Sequence, residues 1–184
     1  MNDLFAFLVL STIFVVILVF MIKELQTMAR KDRVVLVSSN INQIKNPFFA
    51  AIQKYVTNPQ ELNFVEIGAG YAKISELAAR DFSWKSVLAV EIDSIVILWN
   101  RLKKYFTRTA ITYIQSDVFD YMIPKNSVVY CYMSVPVVNR LYRENAFDGC
   151  LVLSLSFAIK DIEPADEFMI KGFQKKLYVY DFRR

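Results

Sequence analysis

Apolar positions along the chain fall into three regimes. The first is one unbroken run, residues 4–22, in which only Ser11 and Thr12 are polar. As a helix rising 1.5 Å per residue, this run spans about 28 Å, close to the ~30 Å hydrocarbon core of a bilayer. Inside lipid a backbone must close its own hydrogen bonds, so a helix is the expected form. Only Asp3 precedes the run as a charge, and Phe20, Met21, Ile22 and Lys23 make a poor cleavage site. The expectation is therefore an uncleaved single-pass anchor, not a signal peptide. Lys23, Arg30, Lys31 and Arg33 follow it. The positive-inside rule then puts the rest of the chain on the cytoplasmic side or its topological equivalent.

The second regime, residues 23–45, is a polar juxtamembrane stalk interrupted by the short apolar run 34–37. Its basic residues suit lipid headgroups or a solvated connector equally well. Asn46 and Pro47 then signal a turn or helix start. Phe48, Phe49, Ile52, Tyr55 and Val56 recur at helical spacing, and Thr57, Asn58 and Pro59 close that helix.

The third regime, within 46–184, alternates strand and helix. Strands are predicted at 63–67, 86–90, 111–114, 127–133 and 150–155, with helices at 72–80, 94–105 and 136–145. Ser94 is the expected N-cap of the middle helix, and Ile95, Leu98, Trp99 and Leu102 share one face of it. Runs of Val, Ile and Leu without clean alternation suit parallel strands buried on both faces. The rhythm is that of an α/β sheet with right-handed crossovers. It breaks at the end, where 168–173 and 177–182 flank Gln174, Lys175 and Lys176 as an antiparallel hairpin. Three segments follow: an anchor at 1–22, a stalk at 23–45 and a single domain at 46–184.

Composition narrows the chemistry. The 184 residues are 55% hydrophobic, with 22 basic and 18 acidic side chains and a net charge of +4. The mean hydropathy of +0.30 reflects the N-terminal run. There is no histidine. That removes the usual general base, the usual zinc ligand and any Ser-His-Asp arrangement. Cys131 and Cys150 each sit in an apolar run, which suits two buried thiols better than a disulfide and is too few for a metal framework.

Candidate chemistry gathers at three strand ends. Glu66, Ile67, Gly68, Ala69, Gly70 and Tyr71 carry a buried strand into a glycine turn and then a helix. Such glycines let backbone approach a ligand at the helix N-terminus. The dinucleotide fingerprint wants a glycine where Lys73 stands, and a lysine there is expected to crowd the helix–sheet contact. Glu66 suits a cofactor with a cationic amino group. Glu91, 23 residues beyond Gly68, ends the second strand before Ile92 and is placed to accept from ribose hydroxyls, with Asp93 as its rival. Asp117, before Val118 and after the third strand, suits an exocyclic amine or a plain turn.

A glycine turn and three acidic strand ends on one sheet edge make this chain resemble the class I S-adenosylmethionine-dependent methyltransferases. The resemblance covers 46–184, including the terminal hairpin, with Ala72 where the fuller motif often has a third glycine. It implies a Rossmann-like α/β sheet, here preceded by one transmembrane helix. It also implies S-adenosylmethionine as cofactor, held by Glu66, Gly68, Ala69, Gly70, Glu91, Ile92, Asp117 and Val118. The order of membrane segment, stalk, Asn46-Pro47 helix and minimal core, with Tyr132, Met133, Ser134, Val135 and Pro136 after the fourth strand, is similar to the membrane-anchored mitochondrial lysine methyltransferases and their small prokaryotic relatives. That narrower resemblance implies a lysine of a membrane protein as acceptor, with the bilayer met through residues 4–22. Tyr132, Met133, Ser134 and Pro136 are the acceptor-site candidates.

Two other acceptor classes and one other role stay open. A lipid amine or lipophilic small molecule would use the same anchor. A cofactor-binding scaffold without catalysis is the third reading. Nucleic acid is disfavoured, because Met133, Ser134, Val135 and Pro136 stand where amino-methylating nucleic-acid enzymes carry an Asn/Asp-Pro-Pro-aromatic motif. No metal is expected.

Overall fold

Seven short runs rich in Val, Ile, Leu and Tyr become strands, because β-branched and aromatic side chains fit a pleated, buried surface. The computed structural model describes residues 2–29, 41–170 and 175–183, apart from the side chains of 2–4, 6, 17, 20, 21 and 23–29. The chain divides into two units, Met1–Val35 and Leu36–Arg184.

The first unit is a helix, α1 (Asn2–Ala29). The two polar residues of the run 4–22 turn to the backbone: the Ser11 and Thr12 hydroxyls both donate to the Leu8 carbonyl, at 3.0 and 2.8 Å. Phe5, Phe7, Leu10, Phe14 and Val16 are exposed. Among the residues whose side chains are described, no helix is long and apolar enough to cross a membrane. The run 34–37, with Arg30, Lys31 and Arg33, lies outside the described residues.

The second unit is a seven-stranded sheet. Its strands are β1 (Asn63–Ile67), β2 (Ser86–Glu91), β3 (Ile111–Gln115), β4 (Ser127–Cys131), β5 (Cys150–Leu155), β6 (Asp166–Ile170) and β7 (Lys175–Asp181), in the order β3-β2-β1-β4-β5-β7-β6. The first five are parallel, and β7 enters antiparallel between β5 and β6. Every residue of β4 and β5 is buried, as expected for strands covered on both faces. The helices are α2 (Ile41–Tyr55), α3 (Lys73–Asp81), α4 (Ser94–Thr107) and α5 (Val135–Arg143). One face packs Phe64, Val87, Val128 and Leu151 against Phe48 and Ile52 of α2 and Ile74 of α3. The other packs Val65, Ile67, Val129 and Val152 against Val138 and Leu141 of α5.

Several expectations change in detail. The helix expected to start at Asn46-Pro47 starts at Ile41, and Pro47 is buried inside it. Proline lacks only its own N–H, and burial of Ile44, Phe48, Ala51 and Ile52 outweighs that one lost bond. The cap of α4 is Asp93, not Ser94: its carboxylate accepts from Ile95 N and Val96 N. A carboxylate at that position answers both the orphan N–H groups and the helix dipole. The fourth strand ends at Cys131, two residues early, since Pro136 and the extended Ser134 set the start of α5. Lys175 and Lys176 belong to β7, and the hairpin turn lies outside the described residues.

Ile95, Leu98, Trp99 and Leu102 do share one face of α4, and that face is turned outward. The buried residues are Val96, Ile97 and Asn100. The helix packs against β2 and the edge strand β3.

The two cysteines are reduced and buried. Cys131 pairs in register with Ser154, and Cys150 with Ser127. They therefore sit at opposite ends of neighbouring strands, about 13 Å apart along the strand axis at ~3.3 Å per residue, too far for a disulfide. Burial pushes their thiols up to about 12 and about 11.

Candidate functional site

The parallel register brings the strand ends level. Ile67 pairs with Val90 on one side and with Cys131 on the other, and Glu91 pairs with Gln115. The residues that follow these strands, Gly68, Ile92, Ser116 and Tyr132, therefore share one carboxyl edge, where open α/β sheets bind ligands.

The turn after β1 is built on left-handed backbone. Gly68 and Gly70 have φ of 65° and 51°, and Ala72 has φ of 53°. The first two are glycines, for which this conformation carries no side-chain penalty. Ala72 is not, and its Cβ costs about 1–2 kcal/mol there. The departure from a third glycine thus falls on a residue whose backbone favours glycine. Gly68 is solvent-exposed, and a Cβ on it would come within 3.3 Å of Met133 Cε. Met133 is itself buried against the turn.

Three side chains hold this turn. Glu91 is buried and accepts three backbone N–H bonds: Gly70 N on Oε2 at 2.8 Å, and Ile92 N and Asp93 N on Oε1 at 2.8 and 3.0 Å. It clamps the glycine turn to the end of β2. Asn100 of α4 donates to the Gly70 carbonyl at 2.7 Å, while its Oδ1 is buried without a partner. Glu66 points to α3, where Oε2 accepts from Ser75 N at 2.7 Å and Ser75 Oγ at 2.6 Å. Burial pushes the Glu66 carboxyl up to about 7, against the two Ser75 bonds that favour its anion.

The remaining candidates separate. Ile92 is half exposed beside Glu91. Asp117 Oδ1 accepts from Phe119 N at 3.0 Å, so it organises the turn after β3, and Val118 is buried beneath it. Asp93 is taken up by its capping role. Lys73 is exposed at the start of α3 and so is not buried in the helix–sheet contact that it is expected to crowd. Tyr132 and Met133 point to different faces: Tyr132 packs toward the α2–α3 face, Met133 toward the α5 face. Ser134 is the N-cap of α5, with no bond from its hydroxyl to the helix, and Pro136 is exposed at the helix start.

Two residues not expected from sequence complete this edge. Phe157, after β5, stacks on Tyr132 with ring centroids 6.0 Å apart and planes 20° from parallel. Lys175 donates from Nζ to the Tyr132 hydroxyl at 2.7 Å and lies 5.0 Å from its ring centroid. Their contacts arise from the β4-β5-β7 order, which no local pattern announces. Among the described residues, no three acidic, cysteine or histidine side chains converge to hold a metal ion.

The edge fits a small cofactor with hydroxyl groups. Gly68, exposed and at positive φ, opens backbone to a ligand, Gly70 is tied into the turn by Glu91 and Asn100, and the buried Glu91 carboxylate stands at the neighbouring strand end. An ionised carboxylate offers about four acceptor positions, of which three are used here.

No protein-family model matches the chain. No curated protein matches it in sequence. Solved structures do match in fold. An RNA methyltransferase from Salinibacter ruber, in complex with S-adenosyl-L-homocysteine, aligns with a TM-score of 0.65 at 19% identity, over 78% of this chain and 92% of its own. A mutant of MtNAS in complex with S-adenosylmethionine aligns with a TM-score of 0.63 at 13% identity, over 76% of this chain and 62% of its own. A ribosomal protein methylase from Lactobacillus delbrueckii subsp. bulgaricus aligns with a TM-score of 0.59 at 11% identity, over 77% and 79%. At these identities the likeness is one of fold: the second unit has the Rossmann-like α/β fold of the RNA methyltransferase and the ribosomal protein methylase, with a mixed seven-stranded sheet.

Proposed function

We propose that this chain is an S-adenosylmethionine-dependent methyltransferase that methylates a lysine amine in a membrane protein. The observation that carries the reading is the clamp of Gly70 by Glu91 across the ends of β1 and β2. Support comes from a buried carboxylate with an acceptor position left over, held beside a glycine turn at the carboxyl edge of the sheet, where open α/β folds bind ligands.

S-adenosylmethionine supplies an activated methyl group when bound, so the protein's task is chiefly proximity and orientation. Gly68, Ala69 and Gly70 let the backbone approach it. Glu91 accepts from its ribose, Ile92 offers an apolar surface to its base, and Asp117 and Val118 border the base from the next strand end. Glu66 fixes the first turn of α3 behind the glycines. Tyr132, Met133, Ser134 and Pro136 border the acceptor.

An amine attacks only when neutral, and a desolvated setting lowers its pKa. No imidazole is needed, because the acceptor loses its proton to water before it is enclosed. Support for an amine acceptor comes from Tyr132. Its ring and hydroxyl already receive one lysine ammonium, that of Lys175, with Phe157 stacked behind. An aromatic face attracts an ammonium by its quadrupole.

The membrane enters through residues 4–22, read as a single-pass anchor with the second unit on the cytoplasmic side. The support is the length of the apolar run and the return of both of its hydroxyls to Leu8 O.

Calorimetry of the full chain in detergent tests the cofactor first. S-adenosylmethionine binds, and Glu91→Ala weakens it about 10- to 100-fold, the loss expected for hydrogen bonds to a charged group. Absence of binding to folded protein would remove the enzyme reading and leave a scaffold. Incubation with labelled cofactor and native membranes then tests the acceptor. The label is expected on lysine in a protein band; label in extracted lipid or in added RNA would reassign the acceptor class.

A further inference from the structure

Helix α4 carries six large apolar side chains that stand exposed: Ile95, Leu98, Trp99, Leu102, Tyr105 and Phe106. Trp99 is 59% exposed, Phe106 80% and Tyr105 82%. At 100° per residue these six fall within a stripe about 120° wide, opposite the buried Val96, Ile97 and Asn100. A contiguous apolar patch of this kind on a monomer marks a surface that meets something.

We propose that α4 is a membrane-docking helix, lying in the headgroup layer of an anionic phospholipid bilayer with this stripe turned into the lipid. Three observations choose the bilayer over other occupants. The stripe is half aromatic, with tryptophan and tyrosine among its members, the side chains that favour a boundary between apolar and wet. The helix holds no acidic residue from Ser94 to Thr107. Its cations border the stripe: Arg101 on one side, Lys103 on the other, and Arg108 exposed at the C-cap. Lys103 meets Glu76 of α3 at 2.5 Å, and Arg101 and Lys104 donate to the carbonyls of Tyr113 and Ile111. Among these cations Lys103 is paired with an acidic group, Glu76, while Arg101 and Lys104 meet backbone carbonyls. Long basic side chains flanking an apolar stripe are the composition of interfacial helices. A second copy of the chain is a poorer partner. A two-fold contact through this stripe would bring the basic border of one copy onto that of the other.

The inference stands whether or not the chain transfers methyl groups, and its test does not read cofactor binding. The N-terminal helix would hold every variant on lipid, so the readout is the depth of Trp99, not binding. The full chain is reconstituted into phosphatidylcholine–phosphatidylglycerol vesicles whose acyl chains carry bromine near the headgroup end. Trp84 and Trp99 are the only two tryptophans. Bromolipid is expected to quench about half of the wild-type emission and almost none of the Trp99→Phe emission, as for a helix buried ~5–10 Å into the interface. The double change Leu98→Glu with Leu102→Glu, both on the exposed face, is expected to abolish the quenching and leave the circular dichroism unchanged. Quenching of Trp99 by aqueous iodide, with none by bromolipid, would overturn the proposal. So would shielding of Trp99 in lipid-free detergent together with a doubled protein mass by sedimentation, which would make the stripe a contact between copies.

Discussion

Helices α2 and α4 carry the same kind of pattern and meet opposite fates. Each shows large apolar residues at three- and four-residue spacing, and each flanks the sheet. In α2 the apolar face is the core face: Ile44, Phe48, Ala51 and Ile52 are buried, and the Phe48 ring stands edge-on to Phe64 at 5.8 Å and to Tyr130 at 6.2 Å. In α4 the larger apolar face points to solvent, and the sheet is met by the narrower line of Val96, Ile97 and Asn100. The difference lies in the neighbours. Helix α2 packs on α3, β7 and the edge strand β6, and its Phe48 ring reaches in to Phe64 of β1 and Tyr130 of β4, whereas α4 packs on β2 and the opposite edge strand β3 and sends no ring inward. Periodicity says that a helix has an apolar face; it does not say which surroundings that face will find.

The sharpest way to break the comparison is to truncate one ring from each helix. Phe48→Ala removes a fully buried ring from an aromatic cluster and is expected to cost about 3–5 kcal/mol. Trp99→Ala, though it deletes a larger side chain, is expected to stay within about 0.5 kcal/mol of the wild type in detergent, as exposed substitutions do. Denaturant unfolding of the two variants measures both. A loss at Trp99 comparable with that at Phe48 would mean that the stripe of α4 is covered within the folded unit.

The core side also holds a charge that the surface side does not. The folded Glu66 carboxyl titrates near 7, against an ordinary value of 4.5, because burial penalises its anion. The folded state therefore binds this proton more tightly than the unfolded chain does. The stabilising contribution is fully present below about 4.5 and is lost as the pH rises through about 7. The shift corresponds to roughly 3 kcal/mol at most. Unfolding free energies measured at pH 5 and pH 8 are expected to fall with rising pH, and Glu66→Gln is expected to flatten that slope. The exposed pairs Lys54–Asp166 and Arg80–Asp81 hold their carboxylates below the usual range, so they act only at more acid pH and leave this window clear.

These contrasts also say what was legible in the sequence. The strands were, because Val, Ile and Leu runs at regular intervals have few other uses, and so was the glycine turn, since strand, Gly68, Gly70 and helix follow in one local sentence. Glu91 was legible by its spacing from Gly68. What escaped depends on pairing across the fold. Phe157 and Lys175, 25 and 43 residues beyond Tyr132 in the chain, reach it only because β4, β5 and β7 are neighbours in the sheet. The ties of Glu66 to Ser75 and of Asn100 to Gly70 likewise join residues that no short motif links. The exposure of the α4 stripe is not legible either, because periodicity marks an apolar face without saying what will cover it.

The smallest effect separates two adjacent residues at the start of α4, and it tests whether the helix is held by its own end or by its packing. Asp93 Oδ1 accepts from Ile95 N at 2.7 Å and Val96 N at 3.2 Å, and the same carboxylate favours the positive end of the helix dipole. A helix with little buried apolar surface depends more on such an end than one seated in the core. Asp93→Ala is expected to lower stability by about 1 kcal/mol, the usual cost of an N-cap. Ser94→Ala, one residue into the helix, is expected to change it by no more than about 0.5 kcal/mol. Hydrogen exchange at Ile95, Val96 and Ile97 gives the local reading. Faster exchange there in Asp93→Ala, with the amides of α2 unchanged, would place the loss in the end of α4 itself. Equal acceleration in both helices would instead mean that α4 opens only when the whole sheet does, and that its few buried residues bind it to the core more firmly than its exposed face suggests.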